Sequence, residues 1–162
     1  RDLFLFSCYT GISYGDMCLL TKDDLVTDEN GTLWIRTSRK KTKVEYEVPL
    51  LEVPLHILSK YRDVEPNGKL LPMYCNSDVN KYLKTIATKC GINRRIVFHA
   101  ARHTYATEIT LSHGVPLETV SKMLGHTRVD TTQIYAKVTD DKINADTKRL
   151  DNKISERFTI AI

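Results

Sequence analysis

Glycines cut the second half of this chain into short helical lengths. Val79, Tyr82, Leu83, Ile86 and Cys90 recur at helical spacing and stop at Gly91. Phe98, Ala101, Tyr105 and Ile109 stop at Gly114, and Leu117, Val120 and Leu124, opened by Pro116, stop at Gly125. The pattern predicts helices from Ser77 or Asp78 to Cys90, over 98–112 and over 116–124, with two more over 129–138 and 141–156. The first half reads differently. A helix over 1–9 ends at Thr10-Gly11, and a short one follows over 14–20. Residues 33–38 and 43–49 are β-rich, with Leu33, Trp34 and Ile35, then Val44, Tyr46 and Val48. Arg39-Lys40-Lys41-Thr42 lies between them, so a hairpin with a basic tip is expected. Pro49 and Pro54 bracket the exit into a helix over 54–61, and 62–76 reads as loop. The expected fold class is α+β, mostly α-helical, with a small antiparallel β-sheet on one side. One domain spans the 162 residues, without repeats.

The chain begins at Arg1, and Asp2-Leu3-Phe4-Leu5-Phe6 reads like the inside of an element, so it is expected to be a piece of a longer protein. Its net charge is +4, which is weak evidence for a polyanionic partner. The clustering of Arg36, Arg39, Lys40, Lys41 and Lys43 is stronger, although a solvated loop is the bland reading of such a run. Cys8, Cys18, Cys75 and Cys90 show no CxxC spacing and are expected as buried free thiols in a reducing cytoplasm. No apolar run reaches the roughly 18 residues of a membrane helix, so no membrane partner is expected.

His99 and Arg102 stand three apart and share a helix face. An arginine there can grip two phosphate oxygens at once; alone, His99 as a helix cap and a solvated Arg102 would explain the pair. His126 follows Gly125 directly. Tyr135 lies nine residues later, on the opposite face of any continuous helix, so the Gly125 break must re-aim the chain if both serve one site. Packing against Val138 is the bland fate of Tyr135. His99 and His103 are four apart, but no HExxH or partnering carboxylate accompanies them, so no metal is expected. GxSxG, P-loop and GxGxxG motifs are missing too, and no cofactor is expected.

Together these segments resemble the tyrosine recombinase, or phage-integrase, family. His99-Ala100-Ala101-Arg102-His103-Thr104-Tyr105-Ala106-Thr107 resembles its H-x-x-R-H-T-x-A-T segment. Leu124-Gly125-His126 with Thr131-Thr132-Gln133-Ile134-Tyr135 resembles L-G-H…T-T-x-x-Y. Lys41-Thr42 leading to Val48-Pro49-Leu50 resembles the hairpin lysine and its exit, and Thr10-Gly11-Ile12-Ser13-Tyr14-Gly15-Asp16-Met17 resembles T-G-x-R-x-x-E-L. The resemblance spans about residues 3–140 and implies a C-terminal catalytic domain over 1–162, whose core-binding partner region precedes it. It implies that Tyr135 attacks a DNA phosphodiester to form a 3′-phosphotyrosyl link. Arg102, His99 and His126 would stabilise the phosphorane, and Lys41 would protonate the leaving 5′-oxygen. Arg36, Lys40, Lys43, His103 and Arg128 are the expected DNA contacts.

Implied partners are double-stranded DNA, further protomers in a synaptic complex and accessory DNA-bending proteins, in the cytoplasm of a bacterium at its nucleoid. The C-terminal tail, with Ile143, Leu150 and Ile154 on one stripe and Phe158, Ile160 and Ile162 beyond, is expected to reach a neighbouring protomer. One position departs: Ser13 stands where the family has an arginine, a departure shared with some conjugative-transposon integrases. Arg39, two residues from Lys41 and on its face if the strand continues, is the expected replacement. The leading reading is integration and excision of a mobile element. The alternatives are a resolving recombinase for chromosomes or plasmids, and a DNA-binding module that has lost catalysis.

Overall fold

The computed structural model describes residues 1–63, 68–136 and 140–157. Helix α1 (Asp2–Thr10) lies at the centre of the helical layer and packs on α3 (Glu52–Tyr61) and α5 (Ala100–Thr104). Between them, α2 (Tyr14–Met17) leads to the sheet of β1 (Leu25–Thr27), β2 (Leu33–Ser38) and β3 (Glu45–Pro49). The sheet is antiparallel in the order β1-β2-β3. Arg36 stands opposite Glu47 and Ile35 opposite Val48, so Ile35 and Val48 face inward on neighbouring strands and are fully buried. Helix α4 (Asn76–Lys89) precedes α5, and α6 (Leu117–Met123), α7 (Asp130–Gln133) and α8 (Asp140–Arg157) follow it. The mixed, mainly helical architecture is the one the sequence predicts.

The differences have local causes. Strand β1 was not expected; its three residues, Leu-Val-Thr, are too few to show alternation. Helix α2 stops at Met17 rather than 20, and α3 starts at Glu52 with Pro54 in its first turn, where a missing N–H costs nothing. The expected helix over 98–112 is continuous but not uniform: α5 passes into a π-turn over Tyr105–Thr110 and a 3₁₀ turn over Leu111–His113. Thr110 Oγ1 donates back to the Tyr105 and Ala106 carbonyls at 3.0 and 2.8 Å inside that widened turn. Helix α7 is a single turn, not the run over 129–138. On α4 the buried stripe is Val79, Leu83 and Ala87; Tyr82, Ile86 and Cys90 are exposed. Cysteine burial is also corrected: Cys8 is buried, but Cys75 and Cys90 are exposed and Cys18 is half-buried, all as free thiols.

The core joins both layers through Phe6, Ile12, Leu20, Ile35, Val48, Tyr105, Val120 and Leu124. Gly11 sits at its tightest point, closing α1 with φ 69° and its N–H on the Ser7 carbonyl. A Cβ there would lie 2.4 Å from the Tyr105 ring and 2.8 Å from Leu124. Left-handed strain and overpacking act together, so Gly11→Ala should destabilise the protein by about 2–5 kcal/mol. Urea unfolding checks this; an unchanged midpoint would mean that the ring and leucine yield freely.

Candidate active site

The site is built where two glycine-closed helix ends meet. Gly11 ends α1, and Gly125, with φ 62°, ends α6. At the second end the Gly125 N–H reaches the Lys122 carbonyl and the His126 N–H the Ser121 carbonyl, at 2.9 and 3.1 Å. This winding leaves the carbonyls of Gly11 and Leu124 pointing at one place. Arg102 fills it, with NH1 donating to Gly11 O at 2.7 Å and NH2 donating to Leu124 O. Arg102 is only 2% exposed, so the solvated alternative does not hold.

His126 completes the grip. Its Nε2 lies 3.0 Å from Arg102 NH2 and its Nδ1 2.8 Å from Thr132 Oγ1. A guanidinium can only donate, so Nε2 accepts and the ring proton sits on Nδ1, facing the buried Thr132. Burial, then Arg102 and Arg39, pushes the His126 pKa down to about 4, so the ring is neutral at pH 7. His99, exposed at the start of α5, is also shifted down, by burial first and then by His103 and Arg102. Burial and then Arg39 pull Arg102 down to about 10, opposed by Tyr46, Tyr135 and Asp16. It remains a cation at neutral pH.

The hairpin brings the second guanidinium. Strand β2 ends at Ser38, and the chain turns over 39–44, with Lys43 at φ 60°. The alternation expected to put Arg39 on the face of Lys41 therefore does not operate. Arg39 instead folds inward, half-buried, and its NH1 donates to Leu124 O at 3.3 Å, the carbonyl that Arg102 also uses. Lys41 stays exposed in the turn. Gly125 permits this approach: a Cβ there would lie 2.8 Å from the Tyr46 ring and 3.1 Å from Arg39 Cδ.

Asp16 anchors the base of the turn. Its buried carboxylate accepts from the Lys40 N–H at 2.9 Å, the Ser13 hydroxyl at 2.7 Å and the Tyr46 hydroxyl at 3.3 Å, and lies 3.8 Å from Arg39 NH1. Ser13 caps α2 and lines a cavity of about 420 Å³ beside His99 and Arg102. Two guanidiniums against one carboxylate leave the site with net positive charge, suited to an anion.

Tyr135 follows the single turn of α7 and is 8% exposed. It is near enough to Arg102 to favour that residue's charge, and its ring lies 4.9 Å from that of His103. The break after α6 thus re-aims the chain and brings His126 and Tyr135 to the same guanidinium. The expected DNA contacts Arg36, Lys40, Lys43, His103 and Arg128 are all exposed. Arg36 pairs with Glu47 across the strands at 3.1 Å and Arg128 with Asp130 at 2.6 Å.

Sequence reasoning missed Asp16, Tyr46 and Thr132. Asp16 and Thr132 had a visible signal: Asp16 lies three residues after Ser13, where a helix cap and its acid partner stand, and Thr132 is the second threonine of the T-T-x-x-Y segment. It also missed a groove of about 890 Å³ lined by Lys81, Lys84, Arg94 and Arg95. The i, i+3 lysines and adjacent arginines could have marked it. Among the described residues no group of three or more His, Cys, Asp or Glu could hold a metal, and no helix is long and apolar enough to cross a membrane.

The model of the phage integrase family matches residues 1–142. The chain belongs to the phage integrase family. It is 34% identical over 145 residues to the tyrosine recombinase XerD of Listeria monocytogenes, covering 80% of this chain and 47% of that one. Family members thus include tyrosine recombinases about twice as long, and the chain spans about half the length of the curated relatives it matches. Its fold is that of the XerH site-specific recombinase bound to palindromic difH substrate in a post-cleavage complex, with TM-score 0.72 and 21% identity over 93% of this chain and 45% of that one. It is also that of the Tn1549 transposon integrase in complex with a circular intermediate DNA, with TM-score 0.70 and 19% identity over 91% of this chain and 57% of that one.

The neutral His126 of this integrase-family fold makes the site acid-sensitive. Its folded pKa of about 4 lies below the ordinary value of 6.5. Between these values the unfolded chain binds a proton that the folded chain refuses. The stabilisation is therefore complete above pH 6.5 and is lost as pH falls toward 4. Urea midpoints should drop more steeply between pH 7 and 4.5 for the parent than for His126→Gln; parallel profiles would contradict the assignment.

Proposed function

We propose that this chain is the C-terminal catalytic domain of a DNA strand-exchange enzyme acting through a 3′-phosphotyrosyl intermediate. The observation that carries the reading is the convergence of Tyr135, His126, Arg39 and Arg102 on one buried, positively charged point. The Tyr135 oxygen loses its proton to water and bonds to phosphorus as the bond to the 5′-oxygen breaks, and Lys41, on the exposed turn, gives the leaving oxygen its proton. Arg102 and Arg39 hold the charge that grows on the non-bridging oxygens, with His99 beside them. For His126 to donate there, its Nε2 must exchange Arg102 for phosphate and take up a proton. The energy of the diester is kept in the tyrosyl link, so rejoining needs neither metal nor nucleotide.

Arg39 takes the place left by Ser13. Its support is the Leu124 carbonyl shared with Arg102 and the ion pair with Asp16. Arg36, Lys40, Lys43 and Arg128, with the Lys81–Arg95 groove, form the surface that grips duplex DNA, and phosphate contacts make that grip salt-sensitive. Ile143, Leu150 and Ile154 are exposed on α8, which supports a tail that docks on a neighbouring protomer in a synaptic complex; Phe158, Ile160 and Ile162 lie outside the described residues. Ser13 and the Tn1549 integrase fold favour a mobile-element role. The 34% identity to XerD favours a resolving recombinase as the second reading. The enzyme acts where its DNA is, in the bacterial cytoplasm.

Two measurements test this. Tyr135→Phe should abolish the covalent adduct on a nicked suicide duplex and leave affinity nearly unchanged; an adduct with the Phe variant would remove Tyr135 as nucleophile and leave a DNA-binding module as the rival. Arg39→Ala should slow cleavage at saturating DNA by about 10²–10³-fold, the loss expected for one oxyanion donor. Adding Ser13→Arg should restore part of it, since the cavity beside Ser13 has room for the longer side chain. Normal cleavage by Arg39→Ala once saturated would reduce Arg39 to a backbone grip.

A further inference from the structure

Among the described residues, Tyr135 is held by packing: its ring is buried and its hydroxyl makes no hydrogen bond to any of them. An attacking oxygen must nevertheless be aimed to within about 10–20°. What meets the phenol ring is His103, at 4.9 Å and 80° between planes. His103 in turn stands 5.0 Å from His99 at 88°. His99 and His103 are one helical turn apart at the start of α5, so they share a face. Three perpendicular rings therefore run from His99 to Tyr135 along the side of the Arg102 site.

We propose that His103 is a positioning residue for Tyr135, its imidazole fixing the rotation of the phenol so that the hydroxyl faces the phosphate held by Arg102. The proposal rests on the reading of Tyr135 as nucleophile. It departs from the expectation that His103 serves the DNA backbone. Perpendicular aromatic pairs are favoured electrostatically as well as by packing, and a ring offers this where a flexible chain does not. His103 is exposed, so substitution leaves the core intact.

Two variants separate the roles. His103→Phe keeps a ring and loses the capacity to hydrogen-bond; His103→Gln keeps that capacity and loses the ring. In the full-length protein, single-turnover cleavage at saturating DNA should fall about ten- to hundredfold in His103→Gln and stay near the parent in His103→Phe. Duplex affinity, which also reports folding, should be little changed in both. A Gln variant that cleaves normally, or a Phe variant that loses affinity while Gln keeps it, would overturn the proposal in favour of a DNA contact. A 5′-bridging phosphorothiolate, whose sulfur leaves without a proton, should speed Lys41→Ala but leave His103→Gln slow; rescue of the Gln variant would move His103 to the leaving-group step. The Tyr135→Phe adduct assay separates the two failures. An adduct there ends the nucleophile reading itself, whereas its loss with a normal His103→Gln rate ends only this inference.

Discussion

The fold is organised around a buried guanidinium. Taking a cation out of water costs several kcal/mol even after relaxation, and Arg102 is 2% exposed. It is tolerated because oxygen atoms replace the lost water: the carbonyls of Gly11 and Leu124, with the Asp16 carboxylate nearby. Those carbonyls are free only because both helices end in left-handed glycines. The arginine therefore ties together α1, α5 and the end of α6, and each tie fails if its glycine acquires a side chain.

Asp16 does for the hairpin what the two carbonyls do for Arg102. It binds the Lys40 N–H and the Tyr46 hydroxyl while pairing with Arg39. The base of the turn is thus fixed by a buried carboxylate, while Lys41 beyond it stays in solvent. The turn therefore holds one cation, Arg39, in the site and leaves another, Lys41, in solvent. Ser13 also donates to Asp16, so the residue that departs from the family pattern supports the anchor of Arg39.

Much of this was legible in the sequence, and what was not has a common cause. The glycine stops at 91, 114 and 125 mark real helix ends because backbone conformation is a local property. The α4 stripe was read too wide because spacing shows which residues share a face but not how much of that face is covered. The π-turn after Arg102 was invisible, since a single widened turn barely disturbs the apolar period. The depth of Arg102 was hidden because its partners are backbone carbonyls 91 and 22 residues away, and carbonyls carry no residue signature. Arg39 reached the site for a different reason from the one expected, by a turn rather than by strand alternation.

The two arginines differ in how many of their donors are committed. A guanidinium has five N–H groups. Arg102 uses three of them, on Gly11 O, Leu124 O and His126 Nε2, to hold itself in place. The two that remain, one on Nε and one on NH1, are not the parallel pair that a forked grip needs, and each anchor offsets part of the burial cost. Arg39 is in the opposite position. Among the described residues it gives one hydrogen bond, to Leu124 O, and is steadied by Asp16 at ion-pair distance, so most of its donors are uncommitted. The buried arginine supplies fixed charge and geometry, and the half-buried one supplies free donors. With Ser13 at the family's arginine position, the second guanidinium beside Arg102 comes from the hairpin.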